Sequence, residues 1–193
     1  MTVVASNPTS NTTGYPPAAI ALHWIMAILI AAVFTAIELK GYYPKGSETR
    51  ALLGSIHMML GITVFLLVIV RIGVRTQNAA PPIAPRPASW QTAIAHLTHL
   101  TLYAAMIGMP LLGWTMVSAG GHSIPFYGLS IPPIIGEDKA LAHNLEEVHE
   151  FLGNALYYVI GLHALAALAH HYLQKDNTLL RMLPHRGGPN VRS

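Results

Sequence analysis

The 193-residue sequence contains no cysteine, which excludes disulfides, thiolate zinc sites and iron–sulfur clusters. Charge is scarce as well: Asp, Glu, Lys and Arg make up 10% of the residues, against roughly 25% in a soluble domain. Carboxylates are almost absent from the long apolar stretches, which counts against a proton or metal transporter built on intramembrane acids. The exceptions, Glu38 and Glu150, lie near the ends of the first and last stretches. No basic segment precedes a short apolar core at the amino terminus, so no secretory signal is expected. No internal repeat is visible. The net charge of +3 is small, and no nucleic-acid partner is expected.

What is present is apolar length: 52% of the residues are hydrophobic. A spanning helix needs about 20 such residues, and four stretches qualify, at 18–38, 51–71, 93–117 and 148–173. The expected fold is an all-α membrane protein, a four-helix transmembrane bundle. Residues 1–16, rich in Ser, Thr, Asn and Pro, read as a flexible tail; 17–175 form the membrane domain; 176–193 form a basic tail. Tyr42 and Tyr43 sit where interface aromatics belong. Pro81, Pro82, Pro85 and Pro87 favour an extended linker before the third span, and Pro110 should kink that span. Residues 118–146 form the longest loop, either a cap on the membrane surface or an ordinary connection.

Lys and Arg set the orientation. Arg71, Arg75, Arg86, Lys175, Arg181, Arg186 and Arg192 fall on the side of the termini, against Lys40, Lys45, Arg50 and Lys139 opposite. Seven against four places both termini in the cytoplasm.

Histidine is abundant, with eleven copies. An imidazole facing lipid is costly, so those within the spans should face the bundle interior. His149 and His163 are 14 residues apart on the fourth span, on nearly the same face and ~21 Å apart along the axis. The alternating direction of the spans puts His57 at the level of His149, towards the outside, and His23 at the level of His163, towards the cytoplasm. Two facing imidazoles without carboxylate or thiolate suit a six-coordinate haem iron, whereas zinc would want three or four protein ligands at one point. Taken singly, each histidine could equally be a helix-packing hydrogen-bonder.

Other residues are weighed on the same basis. His96 and His99, i and i+3 neighbours at the start of the third span, are rivals for the inner level and read as supporting or interfacial groups. His122, His143 and His185 fall in loops or tail and should be solvated, while Met58, Met59 and Met106 fit as packing residues. Arg71 lies 14 residues after His57, so it faces the same seam at the inner level. It is a candidate partner for a haem propionate or a membrane-surface anchor. His170 lies ~10 Å beyond His163 on the same seam. It could exchange a proton with a quinone or simply end the helix; His171 points ~100° away.

With these residues in view the chain resembles the bacterial cytochrome b561 family. The resemblance runs through His23–Trp24, IHMMLG at 56–61, RIGVR at 71–75, the Pro-rich linker, AHLTHLTLY at 95–103, His149–Glu150 and GLHALAALAHHYLQKDNTLLRM at 161–182. It covers nearly everything except the amino-terminal tail and the 118–146 loop. It implies two b-type haems with axial ligands His23, His57, His149 and His163, and electron exchange with ubiquinone near His170. It also implies residence in the bacterial inner membrane and, in some members, oxidation of superoxide at the outer face. The leading expectation is a superoxide:ubiquinone oxidoreductase, with Lys40, Lys45, Arg50 and Lys139 attracting the anion. Its partners would be membrane lipid, quinone, and superoxide or another donor; a protein redox partner is left open. The alternative is a haem-b electron-transfer anchor subunit of a membrane dehydrogenase or hydrogenase.

Overall fold

A computed structural model describes residues 14–184. The expected terminal tails beyond these limits, with His185, Arg186 and Arg192, lie outside the described residues. The chain forms four helices, α1 (Pro17–Gly41), α2 (Glu48–Thr76), α3 (Ser89–Ala119) and α4 (Lys139–Tyr172), all long and apolar enough to cross a membrane. A short hairpin, β1 (Ile124–Phe126) and β2 (Leu129–Ile131), lies between α3 and α4.

The helix ends follow from local chemistry. Pro17 opens α1, where a missing N–H costs nothing. Ser47 caps α2 by accepting the Arg50 N–H, and the Gln91 side chain reaches back to the Ala88 N–H ahead of α3. Asp138 caps α4 by accepting the Leu141 N–H at 3.0 Å. That cap starts α4 at Lys139, nine residues before the apolar run at 148. Part of the expected 118–146 loop is therefore helix. At 34 residues α4 is ~50 Å long, well beyond the ~30 Å hydrocarbon core, so its polar first turns project outside. Pro110 sits within α3, which stays continuous.

The rest of that loop is built, too. The hairpin turn places Tyr127 (φ 47°) and Gly128 (φ 85°) in the left-handed region, as a two-residue turn requires. Tyr127 Oη lies 3.1 Å from Thr63 Oγ1 on α2, and the buried Ser118 hydroxyl accepts the Ile134 N–H.

Backbone packing is uneven. The closest helix pairs are α1 with α2, α3 with α4, and α2 with α3. Met26, Val64 and Val68 form the buried core, with Met106 against them. By contrast α4 has no buried residue and stands off from α1 and α2. It meets them through side chains: Tyr157 donates to Glu38 at 2.7 Å, and its ring lies 4.3 Å from Phe34. Two histidine pairs, His23 with His163 and His57 with His149, also face each other across this gap.

At the opposite end, the residues after α4 fold back rather than trail away. Asn177 donates its N–H to Ala84 O and accepts the Ala84 N–H. Arg181 donates to Pro81 O, and its carbonyl accepts the Tyr15 N–H. Met182 O accepts the Trp24 indole N–H at 2.7 Å. The strap 173–184 thus ties the start of α1 and the proline linker together, and the first described residues of both expected tails are part of this structure.

Candidate functional site

Two histidine layers fill the gap beside α4. In the layer remote from the termini, the outer one of the expected orientation, the rings of His57 and His149 have centroids 6.2 Å apart with planes at 74°. In the inner layer His23 and His163 lie 6.5 Å apart at 76°. Metal–imidazole bonds of ~2 Å on both sides of one ion leave two ring centroids roughly 6 Å apart, which is the spacing of both pairs. His149 and His163 share one face of α4, so the layers are ~21 Å apart.

In the outer layer His57 Nδ1 lies 3.0 Å from Val33 O. A carbonyl only accepts, so Nδ1 holds the ring proton and Nε2 keeps its lone pair for a metal. His149 Nδ1 is buried without a partner among the described residues. Gly113 of α3 admits this ring: a Cβ there would stand 3.3 Å from His149 Cε1. Beside the layer, Lys40 runs along Gly54 in a cleft that also includes Arg50 and Met58. Arg50 spends its guanidinium on Lys40 O and Tyr43 O, and Lys139 pairs with Glu137 at 3.4 Å.

The inner layer is more crowded. His99 stands 5.6 Å from His163, nearer than His23. Arg71 Nη2 lies 3.4 Å from His23 Nδ1, Nη1 donates to Ala19 O, and Nε donates to Tyr103 Oη at 3.2 Å. Guanidinium nitrogen only donates, so in this arrangement His23 Nδ1 accepts and the ring proton sits on Nε2. His23 can offer Nε2 to a metal once Arg71 turns to another acceptor, and a carboxylate entering beside it would be one. Trp24 meets His23 edge-on at 5.3 Å, which couples this layer to the strap.

The remaining candidates separate. His170 Nδ1 lies 2.5 Å from Asp176 Oδ2. Burial alone would push the Asp176 carboxyl up, yet hydrogen bonds from His170 and the Thr178 N–H hold it below the usual carboxylate range. His171 packs edge-on against Tyr172, and His96 is exposed. His122 and His143 are exposed and line a cleft at the outer end, where His143 sits 3.6 Å from Glu147 on the extended first turns of α4. Among the described residues no three His, Asp or Glu converge to hold a metal. Sequence reasoning missed Asp176 and underweighted His99, whose position seven residues before Met106 was the available signal, since Met106 packs on the core.

A bundle of four membrane-length helices with imidazoles facing in pairs at two depths defines a membrane cytochrome of the b type. The sequence comparisons agree. The model of the prokaryotic cytochrome b561 family matches residues 14–185. The chain is 40% identical to cytochrome b561 homolog 1 of Escherichia coli (strain K12) over 165 residues, 86% of this chain and 94% of that protein. It is 37% identical to a protein of Yersinia pestis named probable superoxide oxidase CybB over 169 residues, 88% and 95% of the two chains. Cytochrome b561 homolog 2 of Escherichia coli (strain K12) is 26% identical over 171 residues, 84% and 87%. The chain belongs to the prokaryotic cytochrome b561 family. It is a multi-pass membrane electron-transfer protein of a family that carries b-type haem.

Proposed function

We propose that the protein is a superoxide:ubiquinone oxidoreductase of the bacterial inner membrane, with both termini in the cytoplasm and two haems b. The balanced reaction is two superoxide ions, one quinone and two protons giving two dioxygen molecules and one quinol. His57 and His149 hold the outer haem, and His23 and His163 the inner one. The observation that carries this reading is the pair of ring separations, 6.2 and 6.5 Å, repeated at two depths on one helix face. The name of the Yersinia pestis relative supports superoxide as the donor. Haem supplies one-electron chemistry when bound; the protein supplies position and electrostatics.

The side chains divide the remaining work. Lys40 is the cation left to the cleft beside His57: Arg50, which also lines it, donates to carbonyls, Lys139 pairs with Glu137, and Lys45 is not among the lining residues. It attracts the anionic donor. With haem bound, Arg71 would pair with a propionate in place of His23, a charge-assisted contact, and the His23 ring would be free to reverse its tautomer. His170 meets the quinone at the cytoplasmic end.

Rapid mixing tests the reading. Oxidised protein in detergent receives a pulse of superoxide, with and without superoxide dismutase and ubiquinone. Fast haem reduction, abolished by the dismutase and reversed by quinone, is the expected result. Haem that stays oxidised overturns superoxide as donor. Haem that is reduced but not reoxidised by quinone overturns the acceptor.

A further inference from the structure

The strap 173–184 holds the one buried carboxylate of the cytoplasmic end. Asp176 is 4% exposed, and it reaches His170 by two routes. Its backbone N–H donates to His170 O at 3.1 Å, and its Oδ2 takes His170 Nδ1 at 2.5 Å. The other oxygen, Oδ1, accepts the Thr178 N–H at 2.8 Å. The turn that brings Asp176 back over the helix end passes through Lys175 at φ 56°. A side chain with a Cβ is strained in that region. The strain persists because the strap is anchored beyond it, at Ala84, Pro81, Tyr15 and Trp24.

We propose that Asp176 is a positioning residue for quinone reduction, holding His170 by Nδ1 so that Nε2 delivers protons to the quinone oxygens. The inference rests on the reading of His170 as the quinone contact. A carboxylate accepts only, so it fixes the proton of Nδ1 and leaves Nε2 as the exchanging atom. Superoxide supplies the two electrons and leaves as dioxygen. Each of the two protons passes from His170 Nε2 to a quinone oxygen, and the ring is reprotonated from cytoplasmic water. The other charged and titratable groups around this dyad are Arg181 and Lys175 on the strap, Arg75 on α2, Tyr15 before α1 and His171 on α4. Arg181 and Arg75 both lie over the Tyr15 ring at 5.5 Å. Hydrogen bonds from His170 and the Thr178 N–H hold the carboxyl of Asp176 below the usual carboxylate range, and the attraction of Asp176 helps to keep buried Arg181 charged.

The test is Asp176→Asn in the haem-loaded protein, followed as quinone-dependent reoxidation in H2O and in D2O. Reoxidation falls about tenfold, its solvent isotope effect rises because proton delivery becomes the slow step, and Asp176→Glu recovers part of the loss. Haem content, spectrum and reduction by superoxide stay unchanged. An unchanged isotope effect in Asp176→Asn overturns the inference, because a purely structural carboxylate would lower the rate without changing which step is slow. His170→Asn separates the two readings: unaltered quinone reoxidation in that variant sinks the quinone contact itself, whereas a slow His170→Asn beside a silent Asp176→Asn sinks the dyad alone. If Asp176→Asn fails to accumulate, ring-labelled histidine NMR of the unaltered protein decides. The signal lost in His170→Asn should carry its proton on Nδ1, and a neutral ring protonated only on Nε2 overturns the proposal.

Discussion

The two histidine layers are alike in spacing and unlike in everything that surrounds them. The outer layer has two rings and a settled proton: Val33 O fixes Nδ1 of His57, and nothing among the described residues competes for Nε2. The inner layer has a third ring within 5.6 Å and a guanidinium against His23. The outer layer is held by backbone, through a carbonyl and a glycine. The inner layer is held by side chains that can move. The lesson is that equal geometry at two depths need not mean equal tolerance: a site fixed by main chain has one arrangement, and a site fixed by Arg71 and His99 has alternatives.

Replacing ligands should separate the layers most. His57→Ala is expected to lose one of two haems, about half the b-type absorbance, with no histidine near enough to substitute. His23→Ala should retain more, because His99 already lies beside His163; His23→Ala with His99→Ala should then lose the inner haem outright. Haem content by pyridine haemochrome reads both. Equal losses in the two single variants would erase the contrast.

A smaller change is expected from Arg71→Leu. Removing a cation beside the inner layer destabilises the reduced, more electron-rich state, so the inner potential falls by tens of millivolts, ~59 mV being a tenfold change for one electron. The outer potential should hold. A redox titration in which both waves shift together would show that Arg71 acts on the bundle and not on one layer.

The smallest change belongs to Gly113→Ala. The added methyl would meet His149 Cε1 at 3.3 Å, so the ring must yield by a few tenths of an ångström, an overpacking of about 1–3 kcal/mol. The outer haem should stay bound with a shifted spectrum, and the inner signal should not move. Haem loss comparable to that of His57→Ala would mean that the glycine is part of the site's closure.

Much of this arrangement is legible in sequence because the bilayer simplifies it. Charge-poor runs of membrane length leave helices as the economical solution, and His149 and His163, 14 residues apart on one face, are costly unless that face looks inward. The levels of His23, His57, His149 and His163 follow from counting along alternating spans. What escaped lies where the membrane stops acting. The first nine residues of α4 carry Lys139, His143, Glu146 and Glu147, so apolarity ends before the helix does; Asp138 as a cap was the signal. The hairpin depends on Tyr127 and Gly128 adopting positive φ together, of which only the glycine is suggestive. The clasp between His170 and Asp176 depends on a left-handed lysine, and the approach of His99 on how α3 leans against α4. Neither is a property of any one segment's composition.

The placement of both His149 and His163 on α4 also sets an order of manufacture. Each pair takes one member from the first half of the chain and one from its last helix, so neither is complete while the ribosome is still working on the earlier spans. A nascent chain stalled before α4 has two unmatched imidazoles in α1 and α2 and no place to grip a metal from both sides. The strap that closes over the inner end comes later still. If both pairs hold haem, loading is a terminal event in biogenesis, and a chain that ends before His149 forfeits both centres at once instead of one.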